Sequence, residues 1–170
     1  MLFELLVGMS LQSKPENGTW WDSAYGQTRF QQTSYAAGAA VRGENWAVQA
    51  QTMGRETSDY TDQFNVRWQG QQTPVGVWAI WEPHAGPLYL QAGAGAVKPN
   101  FREKNSVGMN DGNTHVVPSY LLGAGWEVTP RFGVVGSVRY VYTPVHGAES
   151  PNNLPNLGKF AVALQTTWRM

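Results

Sequence analysis

The side chains best suited to move protons near neutral pH are three histidines, His84, His115 and His146. No pair of them has metal-motif spacing, and the chain has no cysteine, so thiolate metal sites and disulfide scaffolds are excluded. His84 falls in a short link between two strands. His115 opens a strand and His146 lies in a long loop, so these two can meet at one rim, although a lone loop histidine is ordinarily just solvated. The second set is charged. Glu4, Glu82 and Glu127, with Arg42, Arg139 and Arg169, alternate with apolar residues in strand-like segments. On the inside of a narrow barrel such charges must be paired. They would form either a polar gate for protons or ions, or a plug that fixes strand register. The plug is the stronger expectation, because a small barrel is normally filled by its side chains. A third set, Asp22, Glu56, Asp59, Asp62 and Asp111, sits in polar loops, wetting them or holding divalent cations near anionic lipid heads. Its spacing matches no calcium loop. No metal site and no cofactor are expected.

Positioning these residues requires strands. Charged residues make up only 14% of the chain, against about 25% in ordinary soluble domains. Aromatics reach 12%, with eight Trp, and there are 19 Gly. Lys plus Arg equals Asp plus Glu at 12 each, which leaves no basic surplus for nucleic acid. No run approaches the roughly 20 apolar residues of a membrane helix. No basic n-region precedes Leu2-Phe3-Glu4, so the expectation is either a mature form with an added Met or a protein that reaches its site without a signal.

Period-2 alternation occurs eight times, at 2–11, 34–42, 45–53, 75–82, 88–97, 118–128, 132–142 and 160–168. In Leu2–Leu11, for example, Phe3, Leu5, Val7, Met9 and Leu11 share one face, and Glu4, Gly8 and Ser10 the other. One face is read as apolar throughout and the other as small or polar. This predicts an all-β fold: a single-domain, eight-stranded antiparallel up-and-down barrel of the outer-membrane type over residues 1–170. Short links at 42–45, 82–87 and 128–131 alternate with long loops at 12–33, 54–74, 98–115 and 143–158, as short periplasmic turns and longer extracellular loops would. Trp46, Trp81, Trp126, Phe132 and Trp168 fall near the short-turn end. Tyr35, Tyr120 and Tyr140 fall toward the loop end, with Trp20, Trp21, Tyr60, Trp68 and Tyr142, as two interfacial girdles would.

The segments Pro87–Val97 (PLYLQAGAGAV), Tyr120–Glu127 (YLLGAGWE), Val138–Tyr142 (VRYVY) and Pro151–Gly158 (PNNLPNLG) resemble the outer-membrane lipid A 3-O-deacylase family over about 85 residues. That resemblance implies a Ser-His-Glu site on the outer surface of an eight-stranded barrel. The His, Ser and Glu positions fall here on Tyr142, Pro144 and Lys159, which cannot supply a base, a nucleophile and an orienting carboxylate. A shifted arrangement would use His146 with Ser150 and Glu149, or His115. The stretch Trp46–Tyr60 (WAVQAQTMGRETSDY), with its Gly54-Arg55-x-x-Ser58-Asp59 core, resembles small barrel proteins encoded by tailed bacteriophages. This implies a virion-associated barrel that meets a host outer membrane.

The sequence therefore predicts a non-enzymatic outer-membrane barrel, phage-associated and acting through its long loops. Its expected partners are outer-membrane lipid or lipopolysaccharide, and other virion or outer-membrane proteins. The alternatives are a deacylase-like lipid A hydrolase and a soluble small-ligand carrier.

Overall fold

The alternating segments become strands because a pleated chain sends successive side chains to opposite faces. The computed structural model describes residues 1–15, 28–52, 56–61, 67–98, 100–104, 109–111, 116–141 and 160–170. Among these residues there are thirteen strands and no helix: β1 (Leu2–Pro15), β2 (Thr28–Arg42), β3 (Trp46–Thr52), β4 (Glu56–Thr61), β5 (Arg67–Gln72), β6 (Val75–Trp81), β7 (His84–Ala85), β8 (Leu88–Lys98), β9 (Phe101–Lys104), β10 (Met109–Asp111), β11 (Val117–Thr129), β12 (Phe132–Val141) and β13 (Phe160–Arg169). Eight of them run in the order β11-β12-β13-β1-β2-β3-β6-β8, and a β8–β11 pairing closes the ring. All these pairings are antiparallel, so the wall is a closed eight-stranded up-and-down barrel with no free edge.

The outward face is apolar around the ring. Val7, Met9, Tyr35, Val48, Val77, Leu90, Leu122, Val138 and Leu164 are all exposed, on eight different strands apart from the two on β1. Thr166, a polar residue on this face, donates its hydroxyl to the Val7 carbonyl of the neighbouring strand at 3.0 Å. Near the turn end Trp46 pairs across strands with Trp81, and Phe132 meets Trp168 edge-on at 6.5 Å. Trp126 is exposed on β11. Toward the other end Tyr120 pairs with Tyr140, and Tyr35 is exposed on β2.

The inward face corrects the expectation of small or polar residues. Leu6, Trp78, Ile80, Tyr89, Val97, Val117, Leu121 and Val135 are all buried there. A closed lumen has volume to fill as well as charges to pair, so its bulky residues interrupt the polar pattern. Glycine accommodates one of them at close range. A Cβ on Gly125 would lie 2.0 Å from Cζ of Tyr89, its partner across β8–β11. Gly125→Ala is expected to cost about 1–3 kcal/mol through overpacking. In a Tyr89→Leu background it should cost much less, as a urea titration of each variant would read.

The long loops are shorter than the sequence implied. β1 and β2 stay paired out to Pro15↔Thr28, past a register shift at Gln12/Ser13. Segments of the 54–74 and 98–115 loops form a second sheet in the order β10-β9-β5-β4. This sheet prolongs the wall: Gln72↔Phe101 lies three residues beyond Val75↔Lys98 on both strands, so one register carries across Pro74. Asn100, in the left-handed region at φ 50, ties the junction by donating Nδ2 to the Thr73 carbonyl at 3.0 Å. These extensions were missed because their sequences are polar on both faces, so backbone pairing continues with no apolar alternation to mark it. The 143–158 loop lies outside the described residues.

Candidate functional site in the barrel lumen

The β6–β8 hairpin is the element that organises the lumen. Its ladder runs on past Glu82 through β7, pairing His84↔Tyr89 and Ala85↔Leu88. The turn is made at Gly86, whose positive φ of 66 suits the first central position of a two-residue hairpin loop. The parity of the strand therefore persists, and Trp78, Ile80, Glu82 and His84 follow one another down the inner face. His84 continues this parity at the turn-end mouth and is exposed there, as expected for its link.

Around this hairpin six of the eight barrel strands contribute polar side chains to one network. Arg42 at the end of β2 donates Nε to Glu4 on β1 and Nη1 to Glu82 after β6. Gln91 on β8 donates Nε2 to the other oxygen of Glu82 at 2.9 Å. Arg169 on β13 reaches Glu4 at 3.3 Å through Nε and Glu127 on β11 at 2.6 Å through Nη2. The Arg42 guanidinium also lies over the Tyr89 ring, 5.2 Å from its centroid. His84 stacks on that ring at 5.2 Å, with its two nitrogens 3.6 Å from Glu82 and 3.7 Å from Glu127, too far for direct hydrogen bonds. Three carboxylates thus meet two guanidiniums, with an imidazole between the two carboxylates nearest the mouth. Glu4, Glu82 and Arg42 are almost wholly buried, which makes each of them costly to leave unpaired.

Arg139 does not belong to this network. It pairs with Ala161, which is level with Gln12 on β1, far up the strand from Glu4. There its guanidinium lies 5.9 Å from the ring of Trp78. Trp78 donates its indole N–H to Ser119 Oγ at 3.1 Å, and Ser119 donates to the Tyr140 carbonyl at 2.9 Å. Ala47, Ile80, Val97, Val117 and Leu121 complete an apolar block with Trp78. The lumen is therefore filled in two tiers: a charge network at the turn end, and a tryptophan-centred block with Arg139 toward the loops. The sequence signal for the block was Val75–Trp81, VGVWAIW, which is apolar on both faces. For His84 the signal was the Gly86-Pro87 turn pair, which leaves room for the ladder to extend.

His115, His146, Glu149 and Ser150, like Tyr142, Pro144 and Lys159, lie outside the described residues, as do Asp22 and Asp62. Glu56 and Asp59 lie on β4, and Asp111 on β10. No group of three or more His, Cys, Asp or Glu side chains suited to a metal occurs among the described residues.

Comparison with known proteins places the fold. No family model matches the chain, and no curated protein matches it either. Solved structures do. Neisserial surface protein A matches with a TM-score of 0.64 at 16% identity, over 99% of this chain and 96% of that one. The attachment invasion locus protein Ail of Yersinia pestis matches with a TM-score of 0.62 at 10% identity, over 99% and 98%. A second Ail structure, in complex with the heparin analogue sucrose octasulfate, matches with a TM-score of 0.58 at 12% identity, over 99% and 98%. The chain has the small outer-membrane barrel fold. At these identities the likeness establishes the architecture and nothing finer.

Proposed function

We propose that this chain spans an outer membrane as a plugged, non-enzymatic barrel and binds anionic outer-membrane saccharide or lipid through the sheet that prolongs its wall. The observation that carries the membrane reading is the largely apolar outer belt of the described residues around a lumen whose turn end holds paired charges. A water-soluble carrier would need the reverse arrangement. The plug argues against an open pore, because both tiers of the lumen are occupied by side chains.

The binding reading rests on placement. Lys98 ends β8, while Arg102 and Lys104 lie on β9 opposite Gln71 and Gln69 of β5. Basic residues at this height would stand where lipid head groups and sugars begin, and each contributes about 1 kcal/mol at an anionic surface. The sulfated ligand of Ail belongs to that protein and serves here as a choice of probe. The protein reconstituted in vesicles should bind sucrose octasulfate and lipopolysaccharide. The triple change Lys98→Glu, Arg102→Glu and Lys104→Glu should weaken binding by on the order of 100-fold. Equal binding by the variant at low and high salt would remove the reading.

Carriage on a virion rests only on the likeness of Trp46–Tyr60 to phage-encoded barrels, and no comparison adds to it. Phage association would be tested by probing purified particles for the protein.

A further inference from the structure

The two tiers do not fill the lumen evenly. On the β6, β8 and β11 side the inner face is bulky, with Trp78, Ile80, Tyr89, Val97, Val117 and Leu121. On the facing β1, β2 and β13 side, apart from Leu6 on β1, the inner face above the charge network is small or polar: Gly8, Ser10, Ala36, Ala40, Ala161, Ala163, Gln165 and Thr167. Within this second face Ser10 pairs with Ala163, Gly8 with Gln165, and Leu6 with Thr167, one step above the Glu4↔Arg169 pair. Ser10, Gln165 and Thr167 therefore form one contiguous polar patch, in which Gly8 contributes no side chain.

All three residues are at most 1% exposed. Their polar atoms, Ser10 Oγ, Gln165 Nε2 and Oε1, and Thr167 Oγ1, have no hydrogen-bond partner among the described residues. Two neighbours at the top of the charge network share this condition: Tyr89 OH and Arg42 Nη2. Buried polar groups in folded proteins are satisfied almost without exception, by protein or by ordered water. Inward residues two apart on one strand stand roughly 7 Å apart at the backbone; Gln49 and Gln51 close that gap with a direct hydrogen bond of 2.6 Å, whereas Gln165 makes no such bond to Thr167.

We propose that this patch is a binding site for a small enclosed cluster of ordered water, held between β1 and β13 by Ser10, Gln165 and Thr167. A buried water makes about three hydrogen bonds. The primary amide of Gln165, with two donors and an acceptor oxygen, sits between the two hydroxyls and so anchors the cluster. The alanine cluster Ala36, Ala161 and Ala163, wholly buried, closes the site toward the loops. The Glu4–Arg169–Glu127 network closes it toward the turns. The water is thus trapped beside the ion pairs, where it solvates Arg42 and Tyr89 without opening a pore.

The test is nuclear Overhauser spectroscopy of the labelled protein folded in micelles. Water cross-peaks of the slow-exchange sign are expected at the Gln165 side-chain amide hydrogens and the Thr167 methyl. The cross-peaks at the Gln165 amide should disappear in a Ser10→Ala, Thr167→Val variant that retains the dispersed barrel spectrum. If that variant does not fold, Thr167→Val alone serves, with weakened water contact expected at Gln165. Absence of water contact in the parent protein would overturn the proposal, as would a direct coupling between the Gln165 amide and either hydroxyl. Water exchanging as fast as bulk, together with ion current across a bilayer, would also overturn it by showing a channel in place of an enclosed site.

Discussion

Arg42→Met is expected to destabilise the folded barrel by about 3–5 kcal/mol, because it removes the cation shared by two buried carboxylates. Arg42 is the link between Glu4 and Glu82, and both acids are at most 1% exposed. Glu4 keeps Arg169, at 3.3 Å. Among the described residues Glu82 keeps Gln91, at 2.9 Å, as its hydrogen-bond donor. Neutralising the stranded acid should therefore return much of the loss. The Arg42→Met, Glu82→Gln double variant should be clearly more stable than Arg42→Met alone in a urea titration of the micelle-folded protein. If the single change cost less than about 1 kcal/mol, the level of an exposed pair, the lumen would be wet at this depth and the plug would not be a plug.

The second large effect tests the surroundings of the barrel rather than its interior. Leu122 lies near the middle of β11, between Ala92 on β8 and Val138 on β12, and is 65% exposed when the barrel is taken alone. In a bilayer Leu122→Arg should cost about 2–4 kcal/mol, the price of a cation near the midplane of a barrel's lipid face. In a water-soluble barrel an exposed Leu-to-Arg change would be near neutral. Folding yield and urea midpoint in lipid vesicles separate these outcomes, and a neutral result would return the soluble-carrier reading. The aromatic residues at the turn end give a graded control, since Arg in place of Trp168 should cost far less than Arg in place of Leu122 if the depth assignment holds.

The two predictions draw on different levels of legibility. Leu122 could be assigned outward from sequence alone, because strict alternation in YLLGAGWE fixes its face. Arg42 could be assigned inward by the same rule, but its partners could not. Glu4 and Glu82 are 38 and 40 residues away in the chain, and only ring closure brings β1, β2 and the β6–β8 hairpin to one point. Arg139 shows the limit clearly. Its face was readable, but its height along the barrel depends on pairing register, which put it on Trp78 and away from the acids it was grouped with. His84 is exposed, as its short link implied, but its stacking on Tyr89 follows only from the ladder that continues beyond Pro83. Trp78 escaped notice because a strand that is apolar on both faces does not say which apolar residues face inward.

By itself the sequence determined the number of barrel strands, their antiparallel up-and-down order and, where one face is polar, which face turns outward. All three follow from period-2 patterning and turn chemistry, which act over a few residues. Only the tertiary structure decided which inward side chains meet, that polar loop segments extend the wall as a second sheet, and that one side of the lumen is bulky while the other is small and polar. Those features depend on register between strands far apart in the chain. Register is a property of the closed ring of hydrogen bonds, and no single segment contains it.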